Sequence, residues 1–265
     1  MTVYSRRGLH GQVVDALGLR VLSGEVRSGS LVDPESLSAE FGVSRTVIRE
    51  ALKVLAAKGL VDARPRTGTH VTERARWQLL DTDVMNWRSR GTRDPLLLLE
   101  LGEVRQIIEP AAARMAASRR TDGHLATLRK AVDTMVAWDG SEFGDLVRAD
   151  LDFHRTVLLA AGNELLQHFE VILEPALQAR DSLLHDHNAD RAFVNSHLEV
   201  LRAIEAGDGF EAHSQMTRMM ATAARDAETA LAGDPRAQAA IRERNRNGAH
   251  REDSPLLPLG ASSVI

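Results

Sequence analysis

The sequence predicts a mainly α protein in two parts, a small unit of helices and two short strands followed by a larger all-helical one. Three observations carry this. Apolar residues recur at three- and four-residue spacing along most of the 265 residues. The alternation and turn chemistry of strands is confined to residues 60–72. The charge is split: residues 1–76 hold 12 Lys and Arg against 8 Asp and Glu, net +4, while the rest of the chain is net −8. A basic small segment ahead of an acidic larger one suits a nucleic-acid module joined to something else.

Composition narrows the classes. At 43% hydrophobic and 26% charged the chain has a globular balance. Aromatics are only 4%, so the core must be aliphatic. The absence of Cys excludes disulfide scaffolds, thiol catalysis and Cys-ligated zinc. No apolar run approaches the ~18 residues of a membrane span. The first residues, MTVYSRRGLHGQ, lack the apolar run of a signal peptide, so a cytoplasmic protein without a membrane partner is expected.

The elements follow in order. Val13, Val14, Leu17, Val21 and Leu22 form a helical stripe over 8–24, closed by Gly24. Asp33-Pro34-Glu35 is a helix start, with Asp at the N-cap and Pro at the first helical position, and Gly42 ends that helix. Ser44 caps a third helix over 45–58, whose stripe is Val47, Ile48, Ala51, Leu52 and Leu55, with Gly59 at its end. Residues 60–63 and 69–72 read as two strands around the turn Arg64-Pro65-Arg66-Thr67-Gly68. Residues 73–95 read as a connection with one short helix. Helices are then expected near 96–118, 122–138, 141–161, 163–184, 191–206 and 209–232, with kinks at Pro110 and Pro175. The tail from 234, rich in Arg, Asn, Pro, Gly and Ser, is expected to be largely disordered.

Three helices and a two-stranded wing make a winged helix-turn-helix. With its apolar face docked inward, the third helix leaves Ser44, Arg45, Thr46 and Arg49 at its outward N-terminal end. There Arg can bond guanine bidentately, Ser and Thr can bind phosphate, and free helix N–H groups favour anions. Arg64 and Arg66 on the wing would lie along the DNA backbone or in the minor groove. The plainer alternative is a solvated charged face on a small helical domain.

The run Phe41-Gly42-Val43-Ser44-Arg45-Thr46-Val47-Ile48-Arg49-Glu50-Ala51-Leu52, then Leu55, Gly59-Leu60-Val61 and Arg66-Thr67-Gly68-Thr69-His70-Val71, closely resembles the GntR family of bacterial regulators. The resemblance implies operator contacts by Arg45, Thr46, Arg49 and the wing glycine Gly68. One departure stands out: many members carry Arg in the second helix where this chain has Glu35 or Ser36. A phosphate contact would be lost there, and Glu35 would repel the backbone if it faced DNA.

In the second part, Asp150 and His154 are four residues apart on one expected helix, so they project from the same face. His197 lies within a later helix, beside Leu198, Val200 and Leu201. One carboxylate and two imidazoles on facing helices suit a divalent metal with open positions. The plainer alternative is an ordinary helix contact and a satisfied core histidine. Arg105 could hold a carboxylate bidentately, or simply pair with Glu109 four residues on.

Glu103-Val104-Arg105, Glu109-Pro110-Ala111-Ala112, Asp150-Leu151-Asp152-Phe153-His154, Ala161-Gly162-Asn163, His197 and Ala206-Gly207-Asp208 occur in the order that resembles the FCD effector domain of the FadR subfamily. That resemblance implies an antiparallel helical bundle, a metal held by Asp and His, and a small organic acid effector near Arg105. Asp150, His154 and His197 match three metal ligands. The fourth position falls at Met219, and His213 lies too far along the helix to substitute. Met is a poor ligand for a hard or borderline cation, so the site is either a weak three-ligand one for a divalent ion of the Zn, Ni or Mn class, or metal-free. The linker Trp77-Gln78-Leu79-Leu80-Asp81-Thr82-Asp83-Val84-Met85-Asn86-Trp87 resembles that of galactonate-operon repressors within the subfamily.

The expectation is thus a DNA-binding domain over 1–76, a linker over 77–95, an FCD-like effector-binding and dimerisation domain over 96–233, and a tail over 234–265. The protein would be a homodimeric regulator, a repressor on a palindromic duplex operator, released by a sugar acid, and not an enzyme. The rivals are a constitutive DNA-binding dimer and a helical metalloenzyme with a two-His, one-carboxylate site.

Overall fold

The computed structural model describes residues 8–91, 95–139, 143–175 and 191–233, with 235, 237–239, 241 and 242 beyond them. The first unit opens with α1 (Leu9–Leu22), which buries Val13, Val14, Leu17 and Val21 at helical spacing. The Asp33 carboxylate accepts the N–H groups of Glu35 and Ser36, starting α2 (Pro34–Phe41), and Gly42 ends it at φ 63°. The Ser44 hydroxyl accepts the Val47 N–H at the head of α3 (Arg45–Ala57), which buries Ile48, Ala51, Leu52 and Leu55.

The wing has three strands where the sequence predicts two. β2 (Val61–Arg64) and β3 (Gly68–Val71) form the expected hairpin. A third strand, β1 (Leu31–Val32), pairs antiparallel with β3, Leu31 opposite His70 and Val32 opposite Thr69. The sheet order is β1-β3-β2. Two residues are too short to show alternation, so β1 carries no periodic signal of its own. Gly68 has φ 90°, as the turn requires, and Arg66 also adopts a left-handed backbone at φ 67°.

The connection is bound into the core of the first unit and also touches the second. The Lys58 ammonium sits 2.7 Å from carboxylate oxygens of both Asp81 and Asp83, at the start of α4 (Thr82–Gly91). Val84 and Trp87 of α4 are buried in the same core as Val14, Leu17 and Ile48. The Trp87 indole N–H donates to Asp15 at 2.8 Å. A Cβ at Gly18 would stand 2.6 Å from that indole, so only glycine lets α1 and α4 approach. From its other side α4 contributes Met85 to a cluster with Leu97, Leu101 and Ile172, and Arg88 donates to Glu100 at 2.7 Å.

The second unit is a bundle of α5 (Pro95–Arg119), α6 (Asp122–Ala137), α7 (Phe143–Ala160), α10 (Arg191–Ala206) and α11 (Gly209–Ala232). Between α7 and α10 come the single turn α8 (Glu164–Gln167) and α9, described over 170–175. α5 and α11 pack antiparallel: Leu98 clusters with Leu231 at one end, and Gly209 lies against Arg114 at the other. The buried small residues Ala112, Ala113, Ala116 and Ala117 line α5 where it faces this core. Arg119 donates to the Ala161 carbonyl and Arg120 to that of Glu205, closing the ends of α7 and α10.

The single helix expected over 163–184 is a correction. Its apolar spacing is helical, but the chain turns at 168–169, where the Phe169 N–H bonds the Leu166 carbonyl. Residues 176–190 lie outside the described residues. Helix α5 runs on through Pro110. Most of the expected disordered tail also lies outside the described residues; within it, residues 237–239 are helical and Ala237 is buried with Leu98 and Leu231.

Candidate metal and effector centre, and the DNA-facing surface

Helix periodicity builds the buried centre. On α7, Asp150 and His154 stand one turn apart on the face that also buries Phe153 and Val157. On α10, His197 stands one turn from Val200 and Leu201 on the buried face. On α5, Arg105 and Glu109 stand one turn apart and are also buried. Five ionisable side chains from three helices thus meet in an apolar core.

Their contacts form a chain. Arg105 Nε donates to Glu109 Oε1 at 2.5 Å. Glu109 Oε2 lies 2.5 Å from His154 Nδ1, a close approach that is not an aligned hydrogen bond. His154 Nε2 is 3.3 Å from Asp150 Oδ1, and His197 Nε2 is 2.8 Å from the same oxygen. His197 Nδ1 is 2.9 Å from the Phe193 carbonyl oxygen. The Phe153 ring packs edge-on against both imidazoles.

Proton counting tests whether this set fits a cation. A carbonyl oxygen only accepts, so His197 Nδ1 carries a hydrogen. A neutral His197 would then turn a lone pair on Nε2 towards a carboxylate oxygen 2.8 Å away, which is repulsive. His154 likewise faces a carboxylate from each nitrogen. Either the imidazoles are doubly protonated or a metal lies between them and Asp150. With neutral imidazoles the five groups sum to −1, a charge that burial penalises and a cation would offset. One donor atom from each of Asp150, His154 and His197 lies within 4.8 Å of the others, close enough to share an ion at ordinary ligand distances. The set therefore fits a divalent metal, and the Phe193 carbonyl is the outer partner that would fix the His197 tautomer.

Electrostatics agree with a site that favours positive charge. Burial alone would raise the Asp150 carboxyl, but its bonds to His154 and His197 hold it well below the carboxylate range. Burial likewise opposes ionisation of Glu109, yet Arg105 and His154 bring it down to about 2. Burial pushes His154 down while Glu109 and Asp150 push it up, and the result lies above an ordinary histidine.

Three expectations meet the geometry here. Asp150, His154 and His197 are brought together. Met219, at the position of a fourth ligand, is buried in the core with Met216 and Met220, while His213 is exposed. Arg105 is in the centre but already engaged by Glu109, so any effector anion must use its other donors or displace Glu109. Sequence reasoning places Glu109 only beside Arg105. Its contact with His154 crosses from α5 to α7, and no local spacing announces it.

On the side that the sequence reading assigns to DNA, Ser44, Arg45, Thr46 and Arg49 are exposed at the N-terminal end of α3, and Arg64, Arg66 and Gly68 are exposed on the wing. Arg45 Nη1 lies 2.5 Å from Glu35 Oε1. Arg64 and Arg76 both approach Asp62, at 3.8 and 3.0 Å.

Comparison with known proteins follows the same division. Residues 9–71 match the bacterial regulatory proteins of the gntR family, and residues 100–222 match the FCD domain. The galactonate operon transcriptional repressor of Escherichia coli (strain K12) is 33% identical over 81% of this chain and 94% of its own length. The chain belongs to the GntR family. The HTH-type transcriptional regulator LutR of Bacillus subtilis (strain 168) is 30% identical over 74% of this chain and 90% of its own. The structure of Lar, which controls expression of the Listeria monocytogenes agr system, has a TM-score of 0.60 at 18% identity, covering 85% of this chain and 99% of that one. That last likeness is one of fold. This GntR-family chain is accordingly a DNA-binding transcriptional regulator with an effector-binding helical domain, and its relatives are regulators rather than enzymes. Among the described residues no helix is long and apolar enough to cross a membrane.

Proposed function

We propose that the protein is a homodimeric repressor of sugar-acid catabolism genes whose FCD domain senses a hydroxy-acid effector. The buried Asp150/His154/His197 set beside Arg105 and Glu109 carries this reading, because it offers an anion both a guanidinium and a cation site within a helical domain tied to a DNA reader. Similarity to a galactonate operon repressor supports a hexonate or related sugar acid. Asp150, His154 and His197 would hold a divalent metal of the Zn, Ni or Mn class, which would supply Lewis-acid sites for carboxylate and hydroxyl oxygens. The reader would occupy 1–76, the linker 77–95 and the sensor 96–233, in a cytoplasmic protein.

Ser44, Arg45, Thr46 and Arg49 would enter the major groove of one half-site, with Arg64, Arg66 and Gly68 along the backbone. Two copies would read a palindrome. The effector must favour a dimer geometry in which the readers no longer fit both half-sites, since only differential affinity shifts a two-state equilibrium. The test is a thermal-shift screen of sugar acids with and without divalent metal, followed by operator release. The reading predicts a hexonate that raises the melting temperature and frees operator, with both effects lost in Arg105→Ala. A panel of sugar acids that neither stabilises the protein nor frees operator would refute it.

A further inference from the structure

Two helix N-termini lie together on the DNA-facing end, that of α2 and that of α3, and they do not present bare positive charge. The Asp33 carboxylate takes the Glu35 and Ser36 N–H groups at 3.1 Å each and the Ser36 hydroxyl at 2.6 Å. The α2 terminus is therefore filled by its own anion and is closed to phosphate. Glu35, in the first turn of α2, reaches Arg45 at the first turn of α3, Oε1 to Nη1 2.5 Å apart. Both side chains are about two-thirds exposed, at 64% and 66%. Arg49, one turn further along α3, is exposed and forms no ion pair among the described residues.

We propose that Glu35 is a specificity-determining residue that reserves Arg45 for neutral base edges and keeps it off phosphate. This rests on the reading that Arg45 contacts DNA. The argument is electrostatic. A guanidinium has five N–H donors, and the pair with Glu35 uses one corner of the fork. The others can still reach the O6 and N7 acceptors of a guanine, which are uncharged and tolerate a nearby carboxylate. A phosphate at the same donors would bring a full negative charge beside Glu35 and Asp33, where like charges repel. Glu35 also limits the rotamers of a long flexible side chain before DNA arrives, lowering the ordering cost of a directional contact. Arg49, which has no such partner among the described residues, meets the phosphates that line the same groove. The two arginines of one helix thus divide the work, one for sequence and one for charge.

The test uses the full-length protein and two duplexes: a sequence selected by the wild-type protein from a random pool, and a scrambled duplex of the same composition. Affinity for each is measured across a salt series for wild type, Glu35→Gln, Arg45→Ala and the double variant. Gln is isosteric, and Asp33 still caps α2, so a matching circular-dichroism melt establishes an intact fold. With Arg45 released onto phosphate, Glu35→Gln should bind the scrambled duplex more tightly. Its slope of log K against log salt should steepen by roughly one, and its ratio of selected to scrambled affinity should fall by about tenfold. Both changes should vanish in the double variant, because Glu35 acts through Arg45. If Arg45→Ala weakens the selected duplex while Glu35→Gln leaves ratio and slope unchanged, the role given to Glu35 is wrong and the recognition helix stands. If Arg45→Ala leaves the selected duplex bound as before, the contact itself is absent and this inference falls with it.

Discussion

The Trp87 indole donates its N–H to the Asp15 carboxylate across 72 residues of sequence, at 2.8 Å. The bond fastens the linker helix to the first helix of the DNA reader, with the ring filling the space that Gly18 leaves open. Trp87→Ala should destabilise the protein by about 3–5 kcal/mol, the range for truncating a fully buried large aromatic. Gly18→Ala should also destabilise, because its methyl would overlap the indole. Denaturant titration measures both; full stability in Gly18→Ala would show that α1 and α4 do not approach as described.

Glu109 stands between a guanidinium and an imidazole, so removing it strands charge in the core. Glu109→Ala should cost about 3–5 kcal/mol. The cost should be much smaller when Arg105 is already Ala, and a double-mutant cycle on unfolding free energies reads that coupling. Additive losses would argue that the two residues act independently.

Metal content is a direct readout of the centre. Elemental analysis of purified protein should find a divalent metal near one equivalent per chain, and His154→Ala or Asp150→Asn should remove most of it. Exposed His213→Ala should not. Parent protein that stays metal-free after incubation with Zn, Ni and Mn would leave the cluster as a protonated ion-pair network.

Chelator-treated protein should show a defined pH dependence. The folded protein raises His154, so the stability from its protonated form is fully present below the unfolded histidine value and is lost as pH rises through the folded one. Glu109 and Asp150 are lowered, so their contribution is present above ordinary carboxylate values and fades as pH falls towards about 2 for Glu109. Stability should therefore peak in the mildly acidic range. Added metal should shift the optimum upward, since metal and protons compete for the imidazoles. Melting temperatures from about pH 2 to 9, with and without metal, check both signs.

Arg49→Ala should weaken binding to all duplexes, specific and non-specific, and flatten the salt dependence, while gel filtration shows the same oligomer as the parent. Unchanged DNA affinity would remove Arg49 from the interface.

The legible parts of the sequence were those with short-range physics. Asp33-Pro34, Ser44 and Gly42 mark helix ends because caps and left-handed turns need those residue types locally. The one-turn spacing of Asp150 and His154 put them on one face before any fold was known. His197 could be named, but only packing α10 near α7 and α5 brings it to Asp150. Glu109 joined the centre for the same reason, through a contact that no spacing encodes. The two-residue strand β1 escaped because its pairing partner lies about forty residues on, at Thr69 and His70. The break at 168–169 escaped because Leu165, Leu166 and Phe169 keep a helical apolar period across a turn.

The two-sided linker helix also tells a protein engineer where this molecule can be cut. A chimaeric regulator that joins this reader to a foreign sensor should carry α4 with the reader, because Val84 and Trp87 complete the reader's own core. A junction placed directly after the wing would leave that core open at Gly18. The exchangeable seam lies between α4 and α5, and the recipient sensor must be refitted to meet Met85 and Arg88, which face the other way.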